Sequence, residues 1–222
     1  RYIMQVYYNG ETTTDEHHRH VTYSTETTVS FPVRLVAGRH YNFVVWADFV
    51  ENGSKADCYY NTDVEGAGLR NVSVVEGKWT AMNELRDAYT GVKRIESYNS
   101  GSTIDLTLTR PFAKLRVVTT DIDELYGILP EKVQVEYRTD VYRGFDAFAA
   151  EAKNASAKAF EYYTLENVYD DFNDTVNRTL FTDYLFGTAK GSIQFDMYIG
   201  YNDQGSTTTL NFNTEIPVER NY

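Results

Sequence analysis

A single cysteine, Cys58, among 222 residues excludes an intrachain disulfide framework. It lies too far from Arg1 to be a lipidated N-terminal cysteine, and it leaves the redox compartment open. No stretch approaches the ~18 consecutive apolar residues that a membrane-spanning helix requires. Positive charge is also scarce: 21 Lys and Arg stand against 32 Asp and Glu, giving a net charge of −11 and an isoelectric point near 4.8. That balance excludes nucleic acid as a partner, because phosphate binding needs clustered cations. Catalytic signatures are missing as well. There is no G-x-S-x-G, no H-E-x-x-H and no phosphate-cradling glycine loop, and the one cysteine has no pattern around it. Acidic pairs such as Asp121 with Asp123 arise by chance among 32 carboxylates. We therefore read the chain as non-enzymatic and assign it no cofactor and no metal.

What the sequence does contain is sheet-forming residues: 19 Tyr, 12 Phe and many Val and Thr, with 4 Pro and 14 Gly mostly between patterned runs. Tyr2, Met4, Val6 and Tyr8 alternate with Ile3, Gln5 and Tyr7 ahead of the turn signal Asn9-Gly10. This predicts an opening strand covered on both faces. Val29, Phe31, Val33 and Leu35 form the next alternating run. Ala37-Gly38 turns it into the nearly continuous apolar segment 41–49, which contains Trp46, so a core hairpin is expected here. Residues 51–101 are punctuated by Asn52-Gly53, Glu65-Gly66, Glu76-Gly77 and Ser100-Gly101, a pattern of decorated loops between short strands with a helical turn at 83–89.

At residues 104–119, two strand-like segments meet at Arg110-Pro111. Ile104, Leu106 and Leu108 alternate with Asp105, Thr107 and Thr109. Pro111 cannot donate to a ladder, and Ala113, Leu115 and Val117 then resume the alternation around Lys114 and Arg116. The expected organisation is two domains, 1–109 and 110–222, with Arg110 and Pro111 as the joint. Beyond it, 121–126 fits a capped helical turn and 133–137 a strand. Residues 145–160 stand between helix, on alanine propensity, and something broken by Asn154 and Ser156. Strands are expected at 182–187, 193–199 and 207–214, the last two as a terminal hairpin turned at 202–205. With no helix–strand alternation, the class is all-β: two β-sandwiches in tandem with short helical turns in the loops.

Three passages together resemble the fimbrillins, the subunits of Bacteroidales type V pili. They are the seam Leu108-Thr109-Arg110-Pro111-Phe112-Ala113-Lys114-Leu115-Arg116-Val117, the run 35–47 of the form L-x-x-G-x-x-Y-x-F-x-x-W-A, and Ile216-Pro217-Val218-Glu219-Arg220-Asn221-Tyr222. The resemblance implies two transthyretin-like (Greek-key) sandwiches and a lipoprotein precursor exported through the periplasm, whose lipid anchor is not in this sequence. It also implies proteolysis after an arginine that removes a first strand, and polymerisation by insertion of a neighbour's strand. Under it, the chain is a structural subunit of an outer-membrane-associated cell-surface fimbria serving adhesion, and its partners are copies of itself or other pilus subunits. Arg1 falls to processing, and Tyr2, Met4, Val6 and Tyr8 to the wall of an acceptor groove. The family's first and last strands would lie before Arg1 and beyond Tyr222. The chain opens on Arg1 in strand-like sequence without an initiator Met, so a leader is expected to have been removed or omitted.

Three side-chain groups offer binding chemistry. Asp15, Glu16, His17, His18 and His20 form the only histidine cluster, with His18 and His20 spaced for one strand face, but a charged loop is the simpler reading. Asp170, Asp171, Asn173 and Asp174 gather hard oxygen ligands without the Gly and Glu of a calcium loop. The Asp174-Thr175-Val176 within that run is similar to contexts that carry O-glycans. Tyr59, Tyr60, Tyr162, Tyr163 and Tyr169 could present rings to a surface glycan, since each combines an apolar face with a polar edge. They define the alternative function, a monomeric glycan-binding adhesin with host or microbial glycans or proteins as partners.

Overall fold

A computed structural model of the chain describes residues 1–8, 18–120, 130–155, 163–166, 178–187, 191–203 and 206–220. The expected helical turn at 121–126 lies outside them. The described residues are nearly all β, with fourteen strands paired antiparallel throughout and a few 3-10 turns. In order the strands are β1 Tyr2–Tyr8, β2 Arg19–Thr22, β3 Tyr41–Asp48, β4 Tyr60–Asn61, β5 Val72–Val74, β6 Ala88–Ile95 and β7 Phe112–Thr119. There follow β8 Pro130–Tyr137, β9 Tyr142–Asp146, β10 Glu151–Ala155, β11 Tyr163–Glu166, β12 Arg178–Phe186, β13 Ser192–Asp203 and β14 Ser206–Pro217.

The first sheet runs β2-β1-β3-β6. Its two central strands are apolar on both sides because both faces are covered. Residues 3–7 of β1 are all buried, as are 43–48 of β3. One face, carrying Ile3, Tyr7, Val44 and Trp46, packs into a core with Tyr60, Leu69, Val72 and Ala88. The other face carries Met4, Val6, Tyr41, Phe43 and Val45. One residue, half the strand period, separates the two sets, as alternation requires.

The sheet facing the first core has the order β10-β9-β5-β4. Two of its strands precede Pro111 and two follow it, joined where Val72 pairs with Phe145 and Ser73 with Gly144. The described part of the alanine-rich stretch, 145–155, thus contributes strand in β9 and β10 rather than helix, and 156–160 lie outside the described residues. Its register lets Gly144 sit against the Val72 carbonyl, where an added Cβ would come within 3.1 Å of that oxygen. Beyond the seam, the β7–β12 ribbon packs on the sheet β11-β8-β13-β14. Ala113, Leu115, Phe181 and Leu185 meet Val133, Val135, Phe195, Met197 and Ile199 in the second core. β12 serves both cores. Phe181 and Leu185 face the second, while Tyr184 and Phe186 join Phe112 and Phe145 in the first, where Phe186 stacks on Phe145 at 5.5 Å and 13°.

Two expected strands take a different form. Segment 29–36 keeps its alternating exposure but does not pair with β3, whose neighbours are β1 and β6. Segment 102–109 is extended too, and is tied to β6 only by the reciprocal bonds of Thr90 with Thr109, at 2.8 and 2.9 Å. The period-2 pattern reports one buried and one wet face, and a strand laid across a sheet satisfies that without a ladder.

Candidate functional site

The face formed by Met4, Val6, Tyr41, Phe43 and Val45 receives side chains from both unpaired segments. Phe31, Val33 and Leu35 pack on it from one, and Ile104, Leu106 and Leu108 from the other, all half-buried. The first segment starts over β1, where the Tyr2 hydroxyl donates to the Glu26 carbonyl at 2.7 Å. It ends where Val36 N donates to the Tyr41 hydroxyl at 2.9 Å. The second lies along β6, close enough that a Cβ on Gly91 would stand 2.9 Å from the Thr107 carbonyl oxygen and 3.0 Å from Leu108. The two cross the same face in opposite directions. Among the described residues, no backbone hydrogen bond joins 29–35 or 103–108 to each other or to a strand. Backbone groups left outside a ladder are a template for another strand.

Of the residues expected to build an acceptor wall, Met4 and Val6 lie in this face, and Tyr8 packs half-buried at its end, its ring 5.7 Å from Tyr41. Tyr2 anchors the far end. Arg1 is held elsewhere, at the edge nearest the seam. Its Nε and Nη2 donate to Asp48 at 2.9 and 2.6 Å and its Nη1 to Asp57 at 2.6 Å. Burial pulls the Arg1 guanidinium down, but Asp48 and then Asp57 outweigh it, so the net shift is upward. The Arg1 side chain is 3% exposed.

Arg110 and Pro111, the residues expected at the joint, each make contacts beyond their neighbours in sequence. Arg110 donates to both oxygens of Asp87, at 2.9, 3.0 and 2.7 Å, and to the Tyr89 hydroxyl at 3.0 Å. Asp87 holds its guanidinium well above the usual arginine range. Pro111 is buried and its carbonyl accepts from Gly187 N at 3.1 Å. Beside it lies a cluster that sequence reasoning missed. Asp183, fully buried on β12, accepts from Arg86 Nη1 at 2.5 Å, Tyr137 OH at 2.7 Å and Trp79 Nε1 at 3.2 Å. The only sequence signal was an acid inside the apolar run of β12. Asp48, closing the apolar run of β3, carried the same signal.

The tyrosines do not form one platform. Tyr60 has no exposed surface; its ring lies in the first core and its hydroxyl donates to the Arg86 carbonyl at 2.5 Å, so it has no surface to offer a glycan. Tyr59 is half-buried. Tyr163 is in β11 opposite Val135, whereas Tyr162 and Tyr169 lie outside the described residues. His18 is exposed and His20, half-buried, sits opposite Met4; Asp15, Glu16, His17 and the acidic run 170–174 lie outside the described residues. Among the described residues no three His, Cys, Asp or Glu converge as metal ligands, and no helix is long and apolar enough to cross a membrane.

The arrangement defines an all-β protein of packed antiparallel sheets whose distinctive surface is an apolar face flanked by unladdered strands. Over residues 1–222 the chain belongs to DUF6562, a family of unknown function. No curated protein matches it. Its fold is similar to that of a candidate adhesin from Bacteroides thetaiotaomicron, with 15% identity and a TM-score of 0.55 over 95% of this chain and 71% of that one. It is also similar to a candidate cell adhesion protein from Bacteroides ovatus, with 9% identity and a TM-score of 0.51 over 98% and 78% of the two chains. At these identities the likeness is one of fold.

Proposed function

We propose that the chain is a non-enzymatic cell-surface adhesion protein that assembles with copies of itself or with related subunits by strand exchange, as a fimbrial subunit of the type V kind. The observation that carries this reading is the pair of segments 29–36 and 102–109. They lay alternating apolar side chains on the Met4, Val6, Tyr41, Phe43 and Val45 face yet leave their backbones outside any ladder. A donor strand running between them would pair with both edges and place alternate side chains on the apolar floor, which is the chemistry of β-augmentation. The two-domain division with its joint at Arg110-Pro111 belongs to the same reading, with β9 and β10 from beyond the joint completing the first sandwich. The candidate adhesion roles of the solved proteins that share the fold support it.

The test is assembly with a local readout. Protein is incubated at high concentration with and without an arginine-specific protease, then examined by unboiled denaturing gel, negative-stain microscopy and amide hydrogen exchange. Strand exchange yields detergent-resistant ladders, thin filaments and new protection at amides 29–35 and 103–108. A monomer with unchanged exchange in those segments overturns the reading.

A further inference from the structure

The end of the first sheet remote from the seam carries a second feature, which shares Ile104 and Asp105 with the unladdered segment 102–109. β6 enters beside the Thr90–Thr109 bridge and rises about 3.3 Å per residue, so its last residue, Ile95, stands about 17 Å beyond that bridge. At this pole an open cleft of about 350 Å³ is bordered by Lys93, Ile95, Tyr98, Asn99, Ile104 and Asp105. Its size falls in the span of about 300–1,000 Å³ typical of small-molecule sites. The lining is amphipathic: two isoleucines, one aromatic ring, and polar groups at the rim.

The backbone of this rim and the Tyr98 ring are held in place. Tyr98 is fixed by backbone bonds, Gly38 N to its carbonyl at 2.8 Å and its own N to the Arg39 carbonyl at 3.0 Å, and its ring meets Tyr41 edge-on at 6.1 Å. The following turn is closed by Ser102, whose hydroxyl and backbone N both donate to the Asn99 carbonyl, at 2.7 and 3.3 Å, around Gly101 at φ +77°. Yet the Asn99 and Asp105 side chains make no hydrogen bond among the described residues. Exposed polar groups with no partner among the described residues, set beside an aromatic ring, suit a ligand with apolar C–H faces and hydroxyl edges. One cation and one anion at the rim balance each other, while the net charge of −11 repels anions.

We propose that this polar cleft is a glycan subsite for a neutral oligosaccharide, with Tyr98 as stacking ring and Asn99, Asp105 and Lys93 as hydrogen-bonding partners. The place is distinct from the tyrosines Tyr59 and Tyr60. Saturation-transfer NMR on the full chain tests it with lactose, N-acetyllactosamine, cellobiose, maltose and mannobiose, beside 3′-sialyllactose as an anionic arm. The expected result is transfer to at least one neutral sugar, weakened about tenfold in affinity by N99A and by D105A at unchanged melting temperature. Both side chains are exposed and carry no core packing, so the variants should fold. No transfer to any neutral sugar, transfer to the sialylated arm alone, or transfer unaffected by either variant overturns the assignment. The sugars are tested on monomeric protein, so that filament formation, scored separately, bears only on strand exchange.

Discussion

Arg86 Nη1 donates a 2.5 Å hydrogen bond to Oδ1 of Asp183, 97 positions further along the chain, with both side chains at 1% exposure or less. The guanidinium also donates to the Thr80 and Tyr184 carbonyls, at 3.0 and 3.1 Å, and lies 4.9 Å from the Trp79 ring. Asp183 takes two further side-chain donors. A buried ion pair of this kind gives up hydration on both sides and is sustained by the hydrogen bonds that replace it. It fastens the residues before Pro111 to those after it.

Asp183→Ala should therefore cost about 3–5 kcal/mol, because Arg86 is left charged, buried and without its carboxylate. Chemical denaturation measures this. The double variant R86M/D183L should recover part of the loss, since two apolar side chains carry no uncompensated charge; a double variant weaker than the single would contradict the desolvation argument.

Arg110→Ala should cost far less, about 1 kcal/mol or below, although Arg110 is the residue the sequence places at the joint. Its side chain is 38% exposed, and Asp87 retains the Tyr89 hydroxyl as a donor at 2.8 Å. The same denaturation experiment ranks the two, and an R110A penalty as large as that of D183A would reverse the assignment of which contact ties the residues before Pro111 to those after it.

Unfolding should be one cooperative transition, and the fragment 1–109 alone should not fold. Its first core would lose Phe112, Phe145, Tyr184 and Phe186, and β5 would lose its β9 neighbour. Calorimetry of the full chain and far-UV circular dichroism of the fragment check this; two separated transitions would show the halves to be independent.

Stability should fall as pH rises from about 10. Burial pushes the Tyr7 phenol up from 10.0 to about 12, with Arg70 only partly opposing it, and burial moves Tyr60 and Tyr184 upward too. Between pH 10 and 12 the unfolded chain releases the Tyr7 proton while the folded chain keeps it, so the unfolded state gains. Tyr7→Phe should flatten the decline of melting temperature across that window, at a modest loss near neutral pH from the hydrogen bond to Gln5 at 3.0 Å.

Gly68→Ala should destabilise by about 1–3 kcal/mol. Gly68 has φ +56°, and a Cβ there would stand 2.3 Å from Gln5 Nε2. Gln5 is itself buried and accepts from Leu69 N at 2.8 Å, so it cannot swing away without orphaning that amide. An unchanged denaturation midpoint would mean that the turn relaxes freely.

Much of the architecture was legible in the chain. Alternation in 2–8, a continuous apolar run at 41–49 and the punctuation by Asn-Gly and Pro111 located β1, β3, β7 and the hairpin of β13 and β14, because burial on one face or two imposes those periods locally. Composition alone carried the all-β class. Alternation could not say whether 29–36 and 102–109 hydrogen-bond to a neighbour or merely lie across one, since both satisfy the same pattern of wet and buried faces. Nor could alanine propensity place 145–155, where pairing with β5 overrides a weak helical preference.

Only the tertiary structure decided that Arg86 meets Asp183, that Tyr60 is core rather than surface, and that one sheet draws strands from both sides of Arg110. It also decided that the Met4 and Val6 face is flanked by unladdered backbone. Local sequence fixes what a residue can bury and which way its neighbours point. Which distant groups it meets depends on strand order and register, and these are set by the summed packing of many long-range contacts that no single stretch of sequence encodes.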